Sequence, residues 1–441
     1  MQRTLAESGR PAERLAVAVL FLLLLGGAVA ARAFAETRPH ASWAVAPRTV
    51  ILISLDGTVP SWVNDRDLPT LDGLAARGLR ALQLVPVQPT NTFPNHVTLI
   101  SGVPPEVHGI VNNRFIDPVK GSFAKRDIPA WIEVEPLWSI LAGEGIVSAS
   151  YHWVGSEGRW PGGSGPRHWV PFDSGTREAQ KVDRILAWLA LADPCERPRF
   201  ITTWFHGADH VAHVDGPKAP GIGPVLRGQD RALARLVEGL RERGLLASTT
   251  LLVVSDHGMR SADTRVDLGA VLARGDVDAT VIGIGGFASI YLAEPSPKAV
   301  SGALAAARSQ GLQAFERSKA PASLRVRNAR FGHVIVRAPI GTAIVSARTK
   351  LKGFHGYPPH DDSMAGLFVA VGEGVPVGRV VERVYSVDIA PTILALLGLS
   401  VPDWMHGKPM DSLSYPDPHA TNALVSARLP ACETDSPASV P

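Results

Sequence analysis

Thr49-Val50-Ile51-Leu52-Ile53-Ser54-Leu55-Asp56-Gly57 is the stretch on which the fold turns. Its apolar residues stand at consecutive rather than alternate positions, so both faces of the strand must be covered, as in a parallel sheet flanked by helices. The run ends in Asp56-Gly57, which puts an acid at the carboxyl end of the strand. Thr249-Thr250-Leu251-Leu252-Val253-Val254-Ser255 repeats the pattern and ends in Asp256-His257-Gly258. Between and after these runs, helical and strand patterns alternate. Leu71 to Gly78, Leu137 to Gly145, Val182 to Leu191 and residues 230–243 read as helices; Leu79 to Pro86, Ile146 to Ser150 and Arg199 to Phe205 read as strands. Alternation of this kind implies crossover connections and an α/β fold with a mostly parallel sheet. Ligands in such folds bind at the carboxyl ends of the strands, which makes Asp56, Asp256 and His257 site candidates.

Residues 260–352 behave differently. Glycine is frequent, Phe287 to Tyr291 and Val334 to Val336 read as short strands, and Ala299 to Ala307 reads as a helix, so the segment is expected to be a smaller α+β insertion. It divides a catalytic core of residues 46–259 and 353–413. Parallel-sheet patterning is expected to resume at Leu367-Phe368-Val369-Ala370-Val371, followed by a closing helix from Ser386 to Leu397. From residue 414 to 441 periodicity gives way to Pro, Ser and Ala, the pattern of an extended tail.

The chain has 441 residues, 45% of them hydrophobic and 19% charged, enough for a large buried core. Arg3, Arg10 and Arg14 precede an unbroken apolar run from Leu15 to Ala31, followed by the small-x-small tripeptides Ala31-Arg32-Ala33 and Ala33-Phe34-Ala35. Residues 1–33 thus read as a secretory signal, or as an N-terminal membrane anchor, and the remainder is expected outside the cytoplasm, in the periplasm or beyond. Without those residues the net charge of +3 falls to +1, which argues against a charge-driven partner such as a nucleic-acid polymer or a membrane surface. Two cysteines, Cys195 and Cys432, can pair in an oxidising compartment but are too few for a structural zinc cluster.

Pro89-Thr90-Asn91-Thr92-Phe93-Pro94-Asn95-His96 opens a short helical pattern running to Ser101. A hydroxyl at a helix N-terminus meets unpaired N–H groups and the positive end of the dipole, so Thr92 can attack a bound phosphorus while Asn95 donates to its oxygen. Thr92 fits an N-cap equally well. Asp209 and His213 are four apart and would share one helix face, as would His206 and His210, so spacing alone does not choose between the pairs. With His355, these imidazoles and carboxylates suit zinc, and two ions about 3.5 to 4 Å apart would clamp both oxygens of an in-line displacement.

The motifs Ile53-Ser54-Leu55-Asp56-Gly57, Thr92-Phe93-Pro94-Asn95-His96 through His108-Gly109-Ile110-Val111, Asp209 to His213, Ser255-Asp256-His257-Gly258-Met259 and His355-Gly356-Tyr357 resemble, in order and spacing, a nucleotide pyrophosphatase/phosphodiesterase of the alkaline phosphatase superfamily. The resemblance covers most of residues 48–410 and implies an alkaline-phosphatase-like fold and two Zn2+ per chain. One ion would be held by Asp209, His213 and His355. The other would be held by Asp56, Asp256 and His257, with Thr92 as nucleophile and fourth ligand. Asn95 would bind a nonbridging phosphoryl oxygen, and Phe93 would stack on a base, giving hydrolysis of small nucleotide diesters or anhydrides. The chain departs from the family at Trp204, Ala208 and Ala212, where tyrosine, proline and glycine are usual, and at Pro358-Pro359, where Asp-Asn is usual. Trp204 is therefore a candidate substrate contact peculiar to this chain. A choline- or glycerol-phosphodiesterase and a silent binding homologue are the competing readings; a sulfatase needs a cysteine or serine at the nucleophile position.

Overall fold

In the computed structural model the described residues are 48–416, except 65 and 124. The apolar N-terminal run, Cys432 and the tail from residue 417 lie outside them. The principal sheet has eight strands: β1 (Thr49–Leu55), β2 (Leu79–Val85), β3 (Ser148–Tyr151), β4 (His168–Val170), β5 (Phe200–Phe205), β6 (Thr249–Val254), and, beyond four strands of a second sheet, β11 (Gly366–Gly372) and β12 (Arg379–Tyr385). Their order across the sheet is β12-β2-β11-β6-β1-β5-β3-β4. Every residue of β1, β5 and β6 is buried. Successive side chains of β1 serve opposite cores: Val50 and Leu52 join one, Ile51 and Ile53 the other.

Helices cover both faces. On the first lie α2 (Thr92–Ser101), α3 (Leu137–Gly143) and, near the C-terminus, α9 (Ile389–Leu396). On the second lie α1 (Pro69–Ala76), α4 (Glu178–Leu189) and α6 (Ile222–Glu242), while α5 (Gly207–Asp215) leads from β5 into α6. Helix α6 begins eight residues before the expected start at 230, because Gly223 and Pro224 fall in its first turn, where proline is tolerated.

One expectation about the sheet is corrected. Strand β11 runs antiparallel to both β2 and β6 instead of continuing the parallel pattern. An apolar run buried on both faces carries no direction of its own; the connection supplies it. The chain enters β11 beside the carboxyl end of β6, where the Ser255 N–H donates to the Leu367 carbonyl, so the strand must run back. The edge strand β12, largely exposed, pairs in parallel with β2; its apolar residues, Val380, Val381, Val384 and Tyr385, do not alternate with polar ones.

Strands β7 (Ala279–Ile284), β8 (Phe287–Leu292), β9 (Gln313–Glu316) and β10 (Val334–Arg337) form a separate antiparallel sheet in the order β7-β8-β10-β9. With α7 (Leu268–Arg274) and α8 (Pro297–Arg308) it encloses a core that includes Leu272, Ile290, Ala303, Val334 and Val336.

Candidate active site

The site assembles at the carboxyl ends of β1, β5 and β6 and the N-terminus of α2. Thr92 is the first residue of α2, and the N-cap is Asn91, in extended conformation, whose side chain makes no capping bond. The Asn91 amide is engaged elsewhere: its Nδ2 donates to Asn112 Oδ1 at 2.8 Å and its Oδ1 faces His355 Nδ1 at 2.7 Å. Thr92 is thus not the cap, and its hydroxyl is left to face the site, with Oγ1 3.2 Å from His257 Nε2.

Asp56 follows β1, and Gly57 turns the chain with φ +63°; a Cβ there would also stand 2.9 Å from Asp209 Oδ1. Only glycine serves both demands. Asp56 Oδ2 accepts the indole N–H of Trp204 at 2.8 Å, while its buried Oδ1 has no protein partner and stands 3.5 Å from His257 Nε2. Asp256 Oδ2 and Asp209 Oδ1 are likewise buried without hydrogen bonds, 3.2 Å from His257 Nε2 and 3.4 Å from His213 Nε2 respectively.

The three histidines have their tautomers set by the backbone. The Nδ1 of His213 faces the Gly353 carbonyl, that of His257 faces the Gly258 carbonyl, and that of His355 faces the Thr90 carbonyl, at 2.8, 2.8 and 3.0 Å. Carbonyls only accept, so each Nδ1 carries the hydrogen and each Nε2 presents a lone pair. Lone pairs and uncompensated carboxylate oxygens therefore converge on one space. Burial, with Asp256 and Asp209 nearby, pushes the Asp56 carboxyl well above its ordinary range. Burial, with His257 and His213 nearby, pushes His355 well below its own. This is the donor set and outer hydrogen bonding of a cation site. Asp209, His213 and His355 offer ligand atoms within 4.8 Å of one another, and so do Asp56, Asp209 and His257. The chemistry of N and O donors fits zinc.

Spacing left two pairs open, Asp209 with His213 and His206 with His210. Asp209 and His213 come together with His355, whereas His206 and His210 line a cavity of about 620 Å³ that also takes in Asp56, Thr92 and Asp209. Phe93, Trp204, Phe172 and Glu157 also line it, beside Thr92. Phe172 stacks on Trp204 with centroids 4.8 Å apart, and Lys125 Nζ stands 4.3 Å from the centre of the Phe93 ring.

The expected role of Asn95 is corrected. Its side chain is fully buried; Oδ1 accepts from the Val87 N–H at 2.8 Å, and Nδ2 donates to the carbonyls of Pro89 and Asn91 at 3.1 and 3.0 Å. No part of that amide is left to turn to a ligand. The amide that does line the cavity is Asn113, whose Oδ1 accepts the N–H of Phe93 at 2.8 Å. Asn113 lies in a segment of irregular backbone, where no periodicity could mark it.

The family model described as type I phosphodiesterase / nucleotide pyrophosphatase matches residues 50–358. Ectonucleotide pyrophosphatase/phosphodiesterase family member 3 of Rattus norvegicus is 33% identical over 217 residues, and a venom phosphodiesterase of Macrovipera lebetinus is also 33% identical over 217 residues. Each match takes in 48% of this chain and 25% of the relative, so the chain spans well under half the length of these curated relatives. Murine ectonucleotide pyrophosphatase/phosphodiesterase 5, solved as an inactive threonine-to-alanine variant in complex with AMP, superposes with a TM-score of 0.76 at 25% identity, covering 83% of this chain and 100% of that one. The architecture is accordingly alkaline-phosphatase-like, a large, mostly parallel sheet flanked by helices. The chain belongs to the type I phosphodiesterase / nucleotide pyrophosphatase family.

Proposed function

We propose that the protein is an exported, zinc-dependent phosphodiesterase that cleaves small nucleotide diesters or anhydrides through a covalent phosphothreonine at Thr92. The observation that carries this reading is the placement of the Thr92 hydroxyl. It stands at the N-terminus of α2, where the side chain of the N-cap residue Asn91 is engaged elsewhere, 3.2 Å from His257 Nε2 and in one cavity with Asp56. In attack, Oγ1 forms a bond to phosphorus as the bond to the leaving oxygen breaks; water then cleaves the phosphothreonine and restores the hydroxyl. Asn113 donates to a nonbridging oxygen, where a preset donor is worth about 10²–10³-fold in rate. Asp209, His213 and His355 would hold one ion, and Asp56, Asp256 and His257 the other. Bound there, two ions would lower the pKa of the nucleophile and offset charge on the attacking and leaving oxygens.

Phe93 and the Phe172–Trp204 stack offer flat surfaces to a base, and the AMP bound by the murine relative supports a nucleotide in this cavity. Export is supported by the Arg-flanked apolar run before residue 33 and by the names of the ectonucleotide and venom relatives. No described helix is long and apolar enough to cross a membrane. The test is kcat/KM for aryl esters of thymidine 5'-monophosphate, of phosphocholine and of inorganic phosphate. The nucleotide ester should be cleaved best and the monoester worst. Preference for the phosphocholine ester overturns the substrate, and preference for the monoester overturns the diesterase reading.

A further inference from the structure

Arg330 lies far from the nucleophile in sequence, in the segment that builds the second sheet, yet its guanidinium is buried in the principal domain at 3% side-chain exposure. Its Nε donates to Asp117 Oδ2 at 2.6 Å and its Nη1 donates to the carbonyls of Gly109 and Trp131 at 2.9 and 2.8 Å. Its Nη2 pairs with Glu133 Oε1 at 2.8 Å. Gly109 and Asp117 bracket the segment that carries Asn112 and Asn113, so one rigid fork holds both ends of that segment. Trp131 packs edge-on against Phe115 and Phe123, and Phe123 meets the Phe93 ring in the same way with centroids 6.2 Å apart. The fork is itself anchored from the second sheet, where the Tyr291 hydroxyl donates to the Arg330 carbonyl at 2.6 Å. Next to it, Asn328 Nδ2 donates to the Glu106 carbonyl and to Glu133 Oε2, at 3.3 and 3.0 Å.

We infer that Arg330 is a positioning residue for the reaction: the second sheet uses its guanidinium to hold the Gly109–Asp117 segment so that Asn113 is aimed at the phosphoryl oxygen. The inference rests on the role proposed for Asn113. Paired with two carboxylates and two carbonyls, the guanidinium is a buried charge held by the very groups it fixes. Lysine keeps the charge but presents a point donor in place of the planar fork, and it cannot serve Asp117, Gly109 and Trp131 together.

The experiment uses the metal-loaded full chain and a thymidine 5'-monophosphate aryl ester, together with the two diastereomers of its phosphorothioate analogue. In these one nonbridging oxygen is sulfur, so a donor aimed at one oxygen makes the enzyme distinguish them. Arg330→Lys should lower kcat by about 10- to 100-fold, with a smaller change in KM, and should shrink the preference between diastereomers towards that of Asn113→Ala. Adding Arg330→Lys to Asn113→Ala should cost little more, because residues acting through one another are not additive. Asp117→Asn, which keeps an acceptor for Nε, should show the same pattern more weakly and serves if Arg330→Lys does not fold. Unchanged diastereomer preference, or fully additive losses in the double variant, overturns the inference. If the wild type itself fails to cleave the diester, it is the reading of the site that falls.

Discussion

The Nε2 atoms of His213 and His355 stand 3.1 Å apart with a lone pair on each, because both Nδ1 hydrogens are committed to backbone carbonyls. Two lone pairs at that distance repel unless a cation or a shared proton lies between them. Chelation should therefore abolish diesterase activity and lower the melting temperature, and added zinc should restore both. Metal analysis should return about two ions per chain. Full activity in stringently metal-free protein would falsify the metal assignment.

Asn95 and Asn113 should separate stability from catalysis. Asn95→Ala leaves the part-buried Val87 N–H without its acceptor, while the Pro89 and Asn91 carbonyls keep their backbone donors, and should cost about 1 to 3 kcal/mol, with activity falling only as the folded fraction falls. Asn113→Ala removes the acceptor of the Phe93 N–H and should cost about 1 kcal/mol of stability, yet reduce kcat by about 10²–10³-fold, far beyond any change in the folded fraction. Denaturant titration beside steady-state kinetics reads both. Thr92→Ala should remove more than about 10³-fold of kcat while retaining metal, and a phosphorylated Thr92 peptide should disappear from acid-quenched digests.

The bond from Trp204 Nε1 to Asp56 Oδ2 fixes which carboxylate oxygen faces His257. Trp204→Phe keeps an aromatic ring in the cavity and loses that bond. Outer hydrogen bonds of this kind are worth about 10- to 100-fold in metal affinity, so competition against a zinc chelator should show a loss in that range. An unchanged affinity would make the ring, and not its N–H, the reason tryptophan stands here.

Lys181 is fully buried on α4, where its ammonium donates to the Trp204 carbonyl at 2.7 Å. Burial pulls it down from 10.5 to about 8, against the opposing pull of Glu178 and Asp173. Between those two values the unfolded chain binds more protons than the folded one, so the stability of the wild type should rise with pH there. At about 1.4 kcal/mol per unit, its stability relative to Lys181→Met should improve by about 3 kcal/mol from pH 7.5 to 10.5. Urea titrations of both proteins across that interval measure it; a flat difference would mean that the lysine is not desolvated.

How much of this was legible in sequence depended on whether a pattern repeats or is read once. Strands β1 and β6 were plain because burial on both faces writes a continuous apolar run, β5 because it is built of β-branched and aromatic residues, and the acids and imidazole after β1 and β6 followed from the rule about strand ends. The direction of β11 was not legible, since the same run reads alike in either direction. Strand β12 escaped notice because its apolar residues come in pairs, Val380-Val381 and Val384-Tyr385, separated by Glu382-Arg383, and follow neither a strict alternation nor a continuous run. Asn95 took its expected role from its place in the motif around Thr92, but its side chain turns to the Pro89 and Asn91 carbonyls of the loop between β2 and α2. Asn113 sits in a loop held by Arg330, and a contact made across such a separation leaves no local mark.

The position of β11 ties the order of synthesis to the order of assembly. This strand fills the slot between β2 and β6, and His355 reaches the site only a few residues ahead of it. A nascent chain that ends in the second sheet thus has β2 without either of its neighbours, β6 with an unpaired edge, and no His355 at the site. Pairing over such a separation is slow, so folding should close late and all at once. No shortened product lacking β11 should have partial activity; phosphodiester cleavage should begin only after β11 has been made.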